Sequence, residues 1–495
     1  MAAWERVGVM LLLAVLVLGI GVINFSHERA DLVMVWLAFL VYALVLLLPF
    51  LLYRSSWGWF HPLVFMVLWW QLVRQDLPRL GIYAEGLLHH RVMMDAGPIE
   101  MNAVVVQTLL LTSLGLLAFY VGFIGAGRLR VPRLSFAAPR FLLFKVAMIG
   151  GISAFAFLVL TWEAGGIGTL LLQRGLPRDQ RIVVELGGGH WHYLVGLLKV
   201  ACLLWLALRP NAWRNPVFLA TFIFALAIDY IGTGSRSGII MTVAMAGAIW
   251  MLNFRRVPYS AVVAAGAFAL LVVGIGGELR MASRGADSLS AIQLNANVKD
   301  ALVAGYRNVV SYGTETDGTY GIVAVVPQKV GFLYGQSYLS IPFAPVPSAL
   351  LPFDKPQAGG RLNAIHIFGN PLSAIPPGNI GEAYWNFHVP GVFLVMLLFG
   401  VLIKWFVCLF SDNQGSGWVT IIYVYTLFLL QPNSTAFYGW LHAIVPIVFF
   451  ILLFCGMPRR MRSAKSRQDT GSLNEDMSIN DNARDLHKNE GFIRP

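Results

Sequence analysis

Long apolar stretches separated by short polar connections dominate this chain, and their lengths set the reading. A helix needs roughly 17–25 apolar residues to cross a hydrocarbon core of about 30 Å. Twelve stretches approach or reach that length: 7–24, 31–53, 58–73, 101–125, 141–162, 193–208, 216–231, 238–253, 259–277, 386–408, 418–431 and 439–457. The third and the eleventh are short. The first resembles a signal-peptide core, but no small-residue cleavage site follows it and further spans come at once, so it is read as a retained span. The pattern predicts an all-α polytopic membrane protein with about twelve transmembrane helices.

Two polar regions interrupt the pattern. Residues 278–385 form by far the longest connection, and the chain turns polar again from Pro458. The predicted organisation is therefore nine helices with short loops over 1–277, one long loop over 278–385, three helices over 386–457, and a disordered tail over 458–495. Loops longer than about 12–15 residues inside a compact unit are usually lids or binding elements.

Composition agrees with a membrane protein. Of 495 residues, 57% are hydrophobic and 12% charged, with a mean hydropathy of +0.67, which excludes a soluble globular domain. Lys and Arg near span ends tend to stay cytoplasmic. With the amino terminus inside, that side carries Arg54, the cluster Arg128, Arg130, Arg133 and Arg140, then Arg209, Arg214, Arg255 and Arg256, and the start of the tail. Both termini are thus expected in the cytoplasm. Much of the net charge of +11 reads as topology and contact with anionic membrane lipids, and no nucleic-acid-binding motif is present. Cys202, Cys408 and Cys455 all fall within spans, so no disulfide framework is expected.

The exceptions to the charge rule carry the chemistry. Arg174, Arg178 and Arg181 lie in an outer loop, and TGSRSG (233–238) places Arg236 at the outer end of a span. Something anionic on that face is the natural partner. Arg236 also has a plainer reading, as the ion-pair partner of Asp229, because charges at membrane depth usually pair with one another.

The long loop contributes more. It opens with Glu278 to Arg284 as an expected helical continuation, placing Arg280 and Arg284 four residues apart, a like-charge spacing that repels unless an anion lies between them. A solvated collar is the alternative. The stretch IPFAPVPSALLPFDKP (341–356) has prolines at 342, 345, 347, 352 and 356 and is expected to be a stiff, extended strap. GGRLNAIHIFGN (359–370) and IPPGNIGEAYWNF (375–387) follow, supplying Arg361, His366 and Glu382 as groups able to hold an anion or move a proton. GGGHWH (187–192) offers two histidines without a third ligand, no HExxH is present, and ETD (315–317) is a poor metal site, so no metal or cofactor is expected.

Together, an outward TGSRSG between two spans, one long outer loop with a Pro-rich strap ending in KP, and GNIGEAYWNF before a span opening with PGVF resemble the bacterial O-antigen polymerases, the Wzy family. The resemblance extends from about 140 to 450. It implies a GT-C-like glycosyltransferase of the bacterial inner membrane that joins undecaprenyl-diphosphate-linked oligosaccharide repeat units on the periplasmic face, with a chain-length regulator protein as an expected partner. The family's Arg-x10-Gly pattern is met by Arg178 with Gly189 and by Arg307 with Gly318.

Such a reaction needs cations for the departing diphosphate and a base for the attacking hydroxyl. Arginine's planar fork suits phosphate oxygens, and arginines aimed at the leaving group stabilise its growing charge. Arg236, Arg280 and Arg284 are the first candidates, with Arg361, Arg178 and Arg307 as further binding groups. Glu382 or His366 is the candidate base, and Tyr384, Trp385 and Tyr338 are candidates to stack on sugar rings. Two other readings stand beside this one. An O-antigen ligase would use the same donor with a different acceptor. A lipid-linked oligosaccharide flippase would show related halves, and no internal repeat is detected.

Overall fold

The computed structural model describes residues 33–52, 60–65, 101–173, 189–234, 236–254, 259–282, 297–311, 314–346, 348–371, 374–430 and 436–460. These residues are mostly helical. The first helices are α1 (Val33–Leu52), α2 (Pro62–Phe65), α3 (Met101–Gly125), α4 (Leu142–Glu163) and α5 (Ile167–Gln173). Next come α6 (Gly189–Val195), α7 (Leu197–Leu208), α8 (Pro216–Thr233), α9 (Arg236–Phe254) and α10 (Tyr259–Ala282). The remainder are α11 (Val298–Ser311), α12 (Thr314–Val325), α13 (Gly359–His366), α14 (Asn379–Asp412), α15 (Gly417–Leu429) and α16 (Ala436–Cys455).

Six of the described helices are long and apolar enough to cross a membrane: Asn102–Gly125, Leu142–Glu163, Trp191–Leu208, Pro216–Thr233, Asn379–Asp412 and Phe437–Cys455. Shorter apolar helices occupy Val33–Leu48, Gly238–Phe254, Gly266–Gly277 and Gly417–Leu429. Each coincides with an apolar stretch of the sequence, because in lipid a helix satisfies its own backbone. Of the two other expected spans, 7–24 lies outside the described residues, and only α2 represents 58–73. The chain is a helical, membrane-embedded protein.

Two packing centres organise it. Gly122 of α3 and Gly400 of α14 each face backbone of the opposite helix, Leu397 O and Phe119 O, so closely that a Cβ at either would collide. Small residues permit this approach where lipid supplies no hydrophobic drive between helices. The second centre is α7, which is buried along almost its whole length and touches α4, α8, α9, α15 and α16. A helix that is apolar apart from Lys199 belongs in such a central place.

At 34 residues, α14 would run about 50 Å if straight. It breaks instead at Phe387 and His388, whose φ of 60° is left-handed. Pro390 explains the position: it lacks an N–H and its ring clashes with the carbonyl four residues back, that of Asn386. The break separates a short first segment, 379–386, from the long apolar one.

The described residues of the long connection contain several helices. α10 continues to Ala282, as the sequence suggested, α11 packs along α10, and α12 packs against α3 and α14. The proline stretch differs from the expected extended strap. It coils through 3₁₀ turns at Tyr338–Ser340 and Ser348–Leu350. Pro342 sits second in a turn closed by Ala344 N–H donating to Ile341 O at 3.0 Å, a place where its fixed φ is already suitable. Lys355 then folds back, its Nζ donating to Val346 O (2.9 Å) and Ala344 O (3.3 Å). The coil rests on α16 through Tyr438, 5.7 Å from Lys355 Nζ, and through His442 Nδ1, 3.2 Å from Ala344 O.

At the opposite end of the bundle, two short strands tie distant parts together. β1 (Leu134–Ser135) pairs antiparallel with β2 (Arg459–Arg460). Asn413 joins them by accepting from Leu134 N–H (3.0 Å) and donating to Pro132 O (3.2 Å). Lys145 donates to the terminal α16 carbonyls of Leu453 (2.8 Å) and Phe454 (3.3 Å), a cation at a helix C-terminus.

Candidate functional site

Glu382 is the candidate acid that the fold builds most completely. Gly378, with φ of 70°, turns the chain after Pro376 and Pro377 so that α14 starts at Asn379. Glu382 falls in its first turn, where a carboxylate complements the helix dipole. Its side chain points inward and is only 7% exposed. Oε1 lies against Gly359, the first residue of α13, where any Cβ would collide with it. Glycine at 359 is thus the floor on which the carboxyl group rests.

A polar network holds the carboxyl from the other side. Ser337 hydrogen-bonds the Glu382 side chain. Asn386, one turn after Glu382, donates through Nδ2 to Ser337 Oγ (2.8 Å) and to Glu382 O (2.7 Å), and its Oδ1 accepts from Gly335 N–H (2.8 Å). Because Ser337 Oγ already accepts from Asn386, its own proton is free to point at the carboxylate. The segment carrying Ser337 is fastened over α14 by Leu333 N–H to Trp385 O (3.0 Å) and Trp385 Nε1 to Gly331 O (3.1 Å). The arrangement suits a carboxylate held in one orientation, ready to accept a proton.

Tyr338 follows Ser337, its ring stacked on Phe387 with centroids 6.1 Å apart. Its hydroxyl is buried and has no hydrogen-bond partner among the described residues. Burial, reinforced by the nearby Glu382 carboxyl, holds this phenol well above its ordinary range, so it remains a neutral O–H.

The other sequence candidates scatter around this centre. His366 ends α13 on its exposed side, edge-on to Trp385 at 6.4 Å, and Arg361 is exposed on the same helix. Tyr384 is buried between α3 and α14, its hydroxyl accepting from Gln107 Nε2 (3.1 Å) and donating to Val326 O (3.4 Å). Its ring therefore packs helices together and is enclosed away from any sugar, and Trp385 is likewise fully buried. Arg236, Arg280 and Arg307 are placed by backbone alone, at the start of α9, near the end of α10 and within α11. Arg178 and Arg284 lie outside the described residues. Gly318, paired with Arg307 in the spacing pattern, meets the Pro376 carbonyl where a Cβ would not fit, which gives that glycine a packing reason of its own.

TGSRSG resolves into a helix junction. Gly234, at φ 64°, ends α8 by donating to Tyr230 O (2.7 Å), and α9 begins at Arg236. Asp229, one turn earlier and 1% exposed, receives Lys199 Nζ on both oxygens, at 2.8 and 2.9 Å. Its partner among the described residues is thus a lysine on α7, one that sequence reasoning did not single out. Both charges sit inside apolar stretches, and that shared depth was the available signal. Ser337 and Asn386 were missed as well. Asn386 stands four residues after Glu382 on a helix, a spacing that places both on one face, whereas Ser337 is 45 residues away and leaves no local trace.

Comparison of the chain with protein-family models, with curated proteins and with solved structures yields no match.

Proposed function

We propose that this chain is a membrane glycosyltransferase that polymerises undecaprenyl-diphosphate-linked oligosaccharide repeat units. The observation carrying the reading is the Glu382 carboxyl, buried at the head of a long apolar helix and fixed between Gly359 and the Ser337–Asn386 network. Acids at membrane depth are expensive to place and are usually functional, and a supported orientation is what a general base requires. The resemblance of TGSRSG, the proline stretch and GNIGEAYWNF to the O-antigen polymerases supplies the substrate class. In this reading the chain crosses the bacterial inner membrane twelve times in a GT-C-like arrangement, with both termini cytoplasmic and Glu382 on the periplasmic side.

The chemistry is a single displacement. A hydroxyl of the incoming lipid-linked unit gives its proton to Glu382 while its oxygen bonds to C1 of the growing chain. The C1–O bond to the diphosphate breaks, and undecaprenyl diphosphate leaves with the electron pair. Arg236, at the start of α9, and Arg280, Arg284, Arg361, Arg178 and Arg307 are the groups assigned to neutralise that charge. The transfer is assigned no metal.

The test is direct. The purified chain in lipid vesicles, given lipid-linked repeat units extracted from a strain lacking it, should produce a ladder of longer chains and should continue in excess EDTA. Absence of a ladder, or transfer of preformed chains to lipid A core alone, would overturn the polymerase reading. Loss of the ladder in EDTA with recovery on adding Mg²⁺ would remove its metal independence.

A further inference from the structure

We propose that the segment 331–341 sits in the boundary between lipid headgroups and acyl chains, with Tyr334, Leu339 and Phe387 as the side chains that meet lipid. Only the crossing of α14 through the membrane is needed for this, whatever reaction the Glu382 site performs.

The segment is built over the break in α14. Leu333 N–H donates to Trp385 O (3.0 Å) and Gly335 N–H to Asn386 Oδ1 (2.8 Å), while the Tyr338 ring stacks on Phe387 with centroids 6.1 Å apart. Phe332 stands edge-on to both His388 (5.5 Å) and Tyr334 (6.1 Å). The segment therefore shares the depth of Phe387 and His388 in the membrane. Its outer side is apolar, with Tyr334 80% exposed, Leu339 64% and Phe387 45%. Tyr334 keeps its place at a φ of 47°, in the left-handed region that a residue with a Cβ rarely adopts.

Two observations say that lipid covers this side. The first is depth. Asp412 ends α14 and pairs with the exposed side chain of Arg128 (2.9 Å), so that end of the helix meets water. A hydrocarbon core of about 30 Å takes about 20 helical residues, and these, counted back from Asp412, end near Val392. Phe387 lies roughly 8 Å beyond that edge, in the layer where aromatic side chains collect. Tilt of the helix only brings the edge closer. The second observation is continuity. After the break, Pro390, Leu394 and Leu398 follow at four-residue spacing with Phe393 beside them, and all are exposed. That row is the outward face of a helix long and apolar enough to cross a membrane. Phe387 and Val389 are exposed as well, so the row runs on to the ring that Tyr338 covers.

The same short segment carries Ser337, which is buried and hydrogen-bonds the Glu382 side chain. Lipid contact on its outer side and the carboxyl group on its inner side couple the acid to the bilayer surface. Glu382 is thereby held at the level at which a lipid presents its headgroup.

Leu339→Cys, labelled with the environment-sensitive fluorophore nitrobenzoxadiazole, reads the placement. Cys202, Cys408 and Cys455 are buried, and the wild-type chain taken through the same labelling supplies the background. Labels at Leu398→Cys and at the exposed Gln357→Cys set the lipid and water limits. In vesicles of phosphatidylethanolamine and phosphatidylglycerol, the label at 339 should emit at shorter wavelength than the one at 357. A phospholipid with a nitroxide high on its acyl chain should quench it several-fold more than aqueous iodide does. The same readings at Tyr334→Cys, across the turn, should agree, and both variants should keep the helix content of the wild type because both positions are exposed. Iodide quenching equal to that at 357 would put the segment in water and overturn the proposal. Shielding from both quenchers would mean that protein, a second copy of this chain, covers the patch, and would overturn it equally.

Discussion

Two buried polar centres occupy this helical protein, and they end their hydrogen-bond accounts differently. Around α7 and α8, Lys199 meets both oxygens of Asp229, so the acid is satisfied by one neighbour. Around α13 and α14, Glu382 is also buried and is oriented through Ser337 and Asn386, yet the Tyr338 hydroxyl, on the residue after Ser337, has no hydrogen-bond partner among the described residues. Burying an unpaired polar group costs about 1–3 kcal/mol, so the Lys199–Asp229 centre is closed by its own pair, whereas the Glu382 centre is left open at the Tyr338 hydroxyl.

The largest effect expected from this contrast is at the open centre. Glu382→Gln keeps shape and hydrogen bonding but cannot take a proton, and polymerisation by the purified variant should fall about 10²- to 10⁴-fold with helix content unchanged by circular dichroism. Retained activity would remove Glu382 as the base and erase the functional side of the comparison. At the closed centre the sign differs. Lys199→Met leaves Asp229 buried and alone, which should destabilise the protein by about 3–5 kcal/mol, whereas Lys199→Met with Asp229→Asn should recover most of that loss. Thermal unfolding in detergent reads both, and failure of the double variant to recover would mean the pair does more than hold α7 to α8.

A smaller effect lies on the floor of the open site. Gly359→Ala puts a methyl group where Oε1 rests and should cost about 1–3 kcal/mol as overpacking, with activity lost ahead of stability because the carboxyl must turn away. The smallest belongs to the coiled proline segment. Lys355→Met deletes its hydrogen bonds to the carbonyls of Ala344 and Val346 and should loosen that segment by about 1 kcal/mol, seen as faster amide exchange over 341–356 with α14 unaffected.

The helices were readable because an apolar run of sufficient length has few alternatives in lipid. α3, α4, α8 and α16 fall within a few residues of the stretches that announced them. The proline segment was misread because proline suits turns as well as extended chain, and the choice depended on Lys355 folding back within the segment and on His442, distant along the sequence. Glu382 stood out as an acid beside a re-entering span, but its support could not be seen. Ser337 and Gly359 come from two separate parts of the long connection, and only tertiary packing brings both against one carboxyl group. Tyr384 and Trp385, aromatic residues next to a candidate acid, are buried among the helices, a placement their sequence position did not reveal.

The β1–β2 tie has a mechanical meaning. It links residues 134–135 to 459–460, Asn413 stitches the end of α14 to the same loop, and Lys145 pins the end of α16. All of these fastenings lie at one end of the bundle, and the Glu382 cluster lies at the other. A bundle gripped like that resembles a clothes-peg at its spring: a pull on the end of α16 loads the end of α14 and the loop after α3 together.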